Sequence, residues 1–150
     1  KLDLDRKLFG IYPHRIMKPT SPLFRGFDDI FMAPHSRATD VRVSDVEAVP
    51  ELEVMAVTEE GSLAIAKTKD SRQFFVTCHA EYDVDTLAQE YFRDMKKGLT
   101  TVDLPVNYFP DDDPEKTPVV TWRSTGQLLY SNWLNFYVYQ STPYDVEEIH

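Results

Sequence analysis

The segment Phe74-Phe75-Val76-Thr77-Cys78-His79-Ala80-Glu81-Tyr82-Asp83 constrains this chain more than any other. It begins as an apolar run of aromatic and β-branched residues, the composition of a buried strand. Without a spacer it passes into His79-Ala80-Glu81, which keeps an imidazole and a carboxylate close together. Asp83-Val84-Asp85-Thr86-Leu87 follows, an acidic helix start of the kind that satisfies free backbone N–H groups. Strand, titratable pair and helix in that order predict an α/β fold, whose sites lie beyond the carboxyl ends of strands. Two readings of the pair stay open. Either His79 is a general base that Glu81 orients and stabilises when charged, or it is a histidine satisfied by local hydrogen bonds at a strand end.

At 150 residues the chain has the size of one domain, and 42% hydrophobic with 13% aromatic residues predicts a packed core. A formal charge of −9 argues against nucleic acid or an anionic membrane as partner, while leaving room for a basic pocket that takes small anions. One cysteine excludes an intramolecular disulfide framework and fits a reducing compartment. No apolar run reaches the length of a membrane helix, and Lys1-Leu2-Asp3-Leu4-Asp5-Arg6 is no signal peptide, so the expected location is cytoplasmic.

Lys1 to Leu8 reads as polar, Phe9-Gly10-Ile11-Tyr12 as the start of a short strand, and the chain as one entered midway through a fold. Pro19, Ser21 and Pro22 predict a turn-rich connection. Gly26 to Pro34 is apolar and leads into His35-Ser36-Arg37, three side chains that either reach a common pocket from a strand end or lie in an ordinary loop. Ser44 and Glu47 have the spacing of a capping box around one helical turn. Leu52 to Val57 and Leu63 to Lys67 predict a hairpin about Glu59-Glu60-Gly61, and a second turn leads to a central strand from Gln73 to Thr77. These three strands form a meander, expected to extend a parallel sheet.

Leu87, Ala88, Tyr91, Phe92 and Met95 make one helical stripe that Gly98 ends. Arg93 lies nearly opposite the stripe, a solvated arginine unless that face borders a site. Leu99 to Pro118 is predicted to be an ordered loop, a length usually functional. Its Asp111-Asp112-Asp113 lacks the alternating ligands and glycine of a calcium loop, so no metal site is expected. From Trp122 to Gln140 apolar residues cover so much of the circumference that the helix is expected to be buried on several sides, inside the domain or at a subunit interface.

Taken together, Arg25-Gly26-Phe27-Asp28-Asp29, Ala33-Pro34-His35-Ser36-Arg37, Thr77 to Asp83, Thr86 to Asp94, Asn107-Tyr108-Phe109-Pro110 and Ser131-Asn132-Trp133-Leu134-Asn135 resemble one family. It is that of the homoserine O-acyltransferases of methionine biosynthesis, the type built on a glutamine-amidotransferase-like fold. The resemblance runs from about Lys7 to Tyr144 and covers the C-terminal half of the family's domain. It implies the C-terminal half of a flavodoxin-like, class I glutamine-amidotransferase-like three-layer α/β fold, residues 1–150 forming a single partial domain that lacks the nucleophile half. It further implies transfer of a succinyl or acetyl group from acyl-CoA, through a cysteine thioester, to the hydroxyl of L-homoserine. In that scheme His79 and Glu81 match the base and its supporting acid, and Lys7, Ser36 and Arg93 match substrate-binding residues. No cofactor is implied beyond acyl-CoA as co-substrate, and the complete protein is expected to be a homodimer. An arginine suits the homoserine carboxylate, which a bidentate contact would orient.

Two positions depart from the pattern. Cys78 and Ala80 stand where the family has glycine and proline, and a side chain at position 78 would crowd the turn if it needed positive φ. Cys78 is not expected to be the nucleophile, because neighbouring strand residues point to opposite faces. The family's nucleophile sits in the half that has no counterpart here, so this chain alone is expected to be inactive. A glutamine-amidotransferase-like hydrolase, which also pairs cysteine with His-x-Glu, and an inactive remnant are the alternatives. The Arg93 helix and the Asn107 to Pro110 loop favour the acyltransferase.

Overall fold

The structure is a computed structural model and describes residues 1–98 and 102–140. Residues 99–101, where the long loop was expected to begin, and residues 141–144, the end of the family resemblance, lie outside the described residues.

Among the described residues five strands make one antiparallel sheet: β1 (Leu2–Ile16), β2 (Ile30–Asp40), β3 (Leu52–Thr58), β4 (Leu63–Thr68) and β5 (Phe74–Val76), in the order β2-β1-β3-β4-β5. The meander is β3-β4-β5 as the turns predicted. Its pairing is antiparallel, and the one parallel element among the described residues is an isolated bridge between Gly10 and Val106. β1 is longer than its apolar core suggested, because its polar first residues pair with Thr39 and Asp40 of β2 while their side chains stay in solvent. Likewise His35-Ser36-Arg37 lies inside β2 rather than in a loop.

Alternation along these strands divides the side chains between two layers. Phe9 and Ile11 of β1 pack with Leu87, Tyr108, Phe109 and Trp122 on one face. Phe31 and Ala33 of β2 join Leu23, Met55, Ile65 and Leu129 on the other. The first layer belongs to α2 (Thr86–Lys96) and the proline-rich segment after it, the second to α3 (Arg123–Trp133). A short helix α1 (Val43–Glu47) closes one end over Val54, Leu63 and Ala66. Its cap residue is Arg42, which makes no side-chain capping bond, so the Ser44–Glu47 box does not form.

Two expectations of burial are corrected. β5 is not central but an edge strand, paired with β4 on one side only, and Phe75 and Val76 remain 45% and 40% exposed. Along the last helix Leu129 is buried, yet Tyr130 and Trp133 are 41% and 37% exposed, so the apolar circumference is only partly covered. The helix runs on as a π-helical turn, Leu134–Val138, whose Tyr137 packs edge-on to Phe74 at 4.8 Å. On α2 the stripe splits in the same way: Leu87 is buried, whereas Phe92 and Met95 are exposed. Gly98 ends α2 with φ of +67°.

Candidate active site

Directly after β5 the chain turns back across the sheet end. The His79 N–H donates to the Pro34 carbonyl of β2 at 2.8 Å, and the Tyr82 N–H donates to the His79 carbonyl at 3.2 Å, closing a tight turn. This turn brings the two titratable groups together, with His79 Nδ1 2.8 Å from Glu81 Oε1. An ionised carboxylate only accepts, so Nδ1 carries the hydrogen and Nε2 is left as the basic nitrogen. The hydroxyl of Tyr130, from α3, donates to Glu81 Oε2 at 3.4 Å. Both side chains of the pair are partly open to solvent, as a proton-transferring group must be to meet a substrate.

Three contacts hold the turn in place. The Tyr82 ring lies flat on the imidazole, centroids 4.4 Å apart and planes 13° from parallel. Trp122 Nε1 donates to the Tyr82 carbonyl at 3.0 Å. Gly126 of α3 packs so closely on the Ala80 carbonyl that a Cβ there would sit 2.5 Å from its oxygen. The side chain at Cys78 does not crowd the turn. Cys78 is not among the residues with positive φ, and its side chain is buried in the core, where desolvation pushes the thiol up to about 12. A thiol so raised is no nucleophile at neutral pH.

Beside the pair lies a second polar cluster, on the face that β1 and β2 turn toward α2. Lys7 shares the side of β1 that carries Phe9 and Ile11, and Ser36 projects from β2. They converge on Glu90 of α2, whose Oε2 accepts from Ser36 Oγ at 2.5 Å and from Lys7 Nζ at 3.2 Å. Tyr82 joins the two groups, because the ring that stacks on His79 also donates its hydroxyl to Glu90 Oε1 at 3.3 Å. Burial pushes the Glu90 carboxyl up, but the hydrogen bonds from Ser36 and Lys7 and the charge of Lys7 outweigh it and hold it below the usual carboxylate range. Desolvation and the Glu90 charge push the Tyr82 phenol up to about 12, so it remains a donor.

Of the five residues singled out from sequence, His79 and Glu81 form one pair, and Lys7 and Ser36 meet at a carboxylate. Arg93 stands apart. It lies one turn beyond Glu90, ion-paired through Nε with Asp94 at 2.8 Å, with over half its side chain exposed. His35 and Arg37 do not share a pocket with Ser36. His35 is fully buried with Nε2 2.8 Å from Nε2 of His14, and Arg37 bonds Asp40 at 2.7 Å and the Leu63 carbonyl at 2.8 Å. Residues 35 and 37 belong to the strand face opposite residue 36.

Tyr82, Glu90, Tyr108 and Gly126 escaped the sequence reading. The acidic start of α2 makes no side-chain cap; Asp85 accepts from Gln89 Nε2 instead. The Tyr108 hydroxyl does that work, accepting from the Ala88 N–H at 3.2 Å and donating to the Val84 carbonyl. The segment bearing Tyr108 is fastened to β1 in turn, by Ile11 N–H to the Val106 carbonyl at 2.8 Å and Asn107 Nδ2 to the Ile11 carbonyl at 3.1 Å. Gly10, at φ of +138°, permits this approach: a Cβ there would lie 2.3 Å from the Val106 backbone.

Comparison with known proteins gives the chain a family. The family model of homoserine O-succinyltransferase matches residues 1–144. A homoserine O-acetyltransferase of Acetivibrio thermocellus is 56% identical over 149 residues, 99% of this chain and 48% of that protein. One from Thermotoga neapolitana is 53% identical over 150 residues, 100% of this chain and 49% of that protein. The chain thus spans about half the length of the curated relatives it matches. Among solved structures, that of SMU.1228c superposes with a TM-score of 0.57 at 18% identity, over 87% of this chain and 53% of that one. The likeness concerns the fold alone, and agrees with the α/β class expected from the sequence. No helix among the described residues is long and apolar enough to cross a membrane.

Proposed function

This chain belongs to the homoserine O-succinyltransferase family, and from that premise we propose that it supplies the base and the acceptor-binding side of an enzyme that acylates L-homoserine. The observation that carries the reading is the His79–Glu81 pair, bonded at 2.8 Å at the open end of β5 and stacked on the tyrosine that leads to Lys7, Ser36 and Glu90. The nucleophilic cysteine comes from the part of the relatives that this chain does not span, since Cys78 is buried.

In the first half-reaction His79 Nε2 takes the thiol proton, the thiolate attacks the acyl-CoA carbonyl, and the C–S bond to CoA breaks. The CoA thiolate leaves with the proton from the imidazolium. In the second, Nε2 takes the proton of the homoserine hydroxyl as its oxygen forms the new C–O bond. The bond from the acyl carbon to cysteine then breaks, and the cysteine recovers the proton. Glu81 keeps Nδ1–H oriented and offsets the imidazolium charge in both steps. Arg93 and Lys7 receive the homoserine carboxylate, and Ser36 positions it. The family model is named for succinyl and the relatives for acetyl transfer; the donor is an acyl-CoA of one of these two kinds. We take the product to be an O-acylhomoserine that serves methionine biosynthesis, and the complete enzyme to work in the cytoplasm as a homodimer.

The test joins this chain to the missing portion of the Acetivibrio thermocellus relative. The completed enzyme shows ping-pong kinetics and an acyl-labelled protein by mass spectrometry, while the 150-residue chain alone turns over neither donor. Turnover of homoserine and acyl-CoA by the isolated chain, or a completed enzyme that never carries an acyl label, overturns the reading.

A further inference from the structure

The scheme above asks Glu81 to stay on His79 Nδ1 through two proton transfers, yet 51% of its side chain is open to solvent. Glutamate is among the side chains with the most rotamer freedom to lose. An imidazole whose partner swings away can rotate about its broad terminal torsion and turn Nε2 off the reacting atoms. Among the described residues the Glu81 carboxylate has two partners, His79 Nδ1 at 2.8 Å and the Tyr130 hydroxyl at 3.4 Å. The second of these comes from a different element and has no part in the scheme.

The register of α3 brings Tyr130 there. Gly126 packs on the Ala80 carbonyl, and Tyr130, one turn further along the same helix face, reaches Glu81. Two turns beyond, Tyr137 packs on Phe74, so α3 and its π-helical continuation run antiparallel to β5 and the turn after it. Around the Tyr130 ring, Leu23, Phe74, Val76, Leu129 and Trp133 line a groove of about 360 Å³. The other polar side chain that lines it is Arg72, which has donors and no acceptor. The phenol O–H therefore turns to the Glu81 carboxylate. Desolvation, then the Glu81 charge, pushes the phenol up, so it stays a donor at neutral pH.

We propose that Tyr130 is a positioning residue for the base: its hydroxyl holds Glu81 Oε2, so that Oε1 stays on His79 Nδ1 in both half-reactions. The assignment rests on the base reading above and adds the residue that fixes the carboxylate. The bond is longer than the roughly 2.7–2.8 Å usual between oxygens, as active-site bonds often are before a substrate is bound. Each member of the pair then has its own tyrosine. Tyr82 lies flat on the imidazole, and Tyr130 holds the carboxylate from the opposite layer of the sheet.

The test is a double-mutant cycle in the completed enzyme, read as single-turnover CoA release and as later transfer to homoserine. Tyr130→Phe keeps the ring in its groove and removes the hydroxyl alone. It slows both half-reactions by the same factor, about 3- to 10-fold, the range of an ordinary hydrogen bond rather than a tight charged one. KM for acyl-CoA stays as in wild type, because the hydroxyl touches no substrate. On a Glu81→Ala background the same change has no further effect, since the group through which Tyr130 acts is already gone. An equal slowing on both backgrounds makes Tyr130 part of the fold and overturns the assignment. So does a raised KM with unchanged kcat, which makes the tyrosine a donor contact, and so does Tyr130→Phe at wild-type rates. A completed enzyme whose CoA release is untouched by His79→Ala fails differently, because it removes the base reading itself.

Discussion

Replacing Gly126 by alanine separates what holds the His79–Glu81 turn from what holds the fold. The added Cβ would lie 2.5 Å from the Ala80 carbonyl oxygen and 3.3 Å from its carbon. Carbon–oxygen contacts ordinarily begin at about 3.3 Å, so roughly 0.8 Å must be found, and both partners are backbone rather than a flexible side chain. Alanine gains about 1 kcal/mol over glycine in a helix interior, against about 1–3 kcal/mol for overpacking. The net destabilisation is therefore about 0–2 kcal/mol. Activity responds more steeply. Ala80 sits between His79 and Glu81, and a displacement approaching 1 Å in a reacting group costs on the order of 10²-fold. In the completed enzyme, Gly126→Ala should release CoA on the order of 10²-fold more slowly while unfolding only a few degrees below wild type. Stopped-flow CoA release and calorimetry on the same sample provide both numbers. A variant more stable than wild type with undiminished CoA release would show that α3 slides freely and that the close contact does not position the turn.

The buried His14–His35 pair makes stability depend on acidity. Desolvation lowers His14 to about 4, and desolvation with the nearby His14 and Arg37 charges lowers His35 to about 2. Unfolded imidazoles titrate near 6.5, so the unfolded chain binds the extra protons. This contribution is whole above pH 6.5 and is lost as pH falls from there toward 4, with a slope of up to about 2.7 kcal/mol per pH unit for two groups. Urea midpoints at pH 7 and 5 should differ accordingly and converge in a His14→Gln, His35→Gln double variant; a flat wild-type profile would refute this. In the completed enzyme, His79→Ala should slow both half-reactions by about 10²–10⁴-fold. Arg93→Ala should leave enzyme acylation nearly intact and impair transfer to homoserine, with lysine a partial replacement. An equal slowing of the first CoA burst by both variants would remove the carboxylate role of Arg93.

What the sequence revealed follows from how local each signal is. The strand, His-x-Glu turn and helix around residues 74–96 were legible because adjacent residues carry the whole pattern, as was the Gly61 hairpin. Burial was not, because it depends on the neighbour. The Phe74 to Val76 run has the composition of a central strand and occupies an edge, and the aromatic circumference of α3 is covered on one side only. Lys7, Ser36 and Arg93 came from family resemblance, since nothing in their local sequence distinguishes them from solvated residues. Glu90 was invisible for the same reason: its role appears only when β1, β2 and α2 are brought together. Strand parity does explain in hindsight why Ser36 joins it and His35 and Arg37 do not.

Two of the partners of Glu90, Lys7 and Ser36, lie 83 and 54 residues away along the chain. Closing loops of that length is entropically costly before any contact rewards it, and distant contacts are the slow ones in folding. The β3–β4 hairpin and α2 form from near neighbours, whereas the carboxylate meets Lys7 and Ser36 only after the outer strands have zipped and the helix has docked on them. Only the Tyr82 bond to Glu90, eight residues away, can form with the helix alone. During synthesis or refolding the Lys7 and Ser36 bonds arrive late, so a probe of the Glu90 cluster reports completion of the fold, where helix content does not.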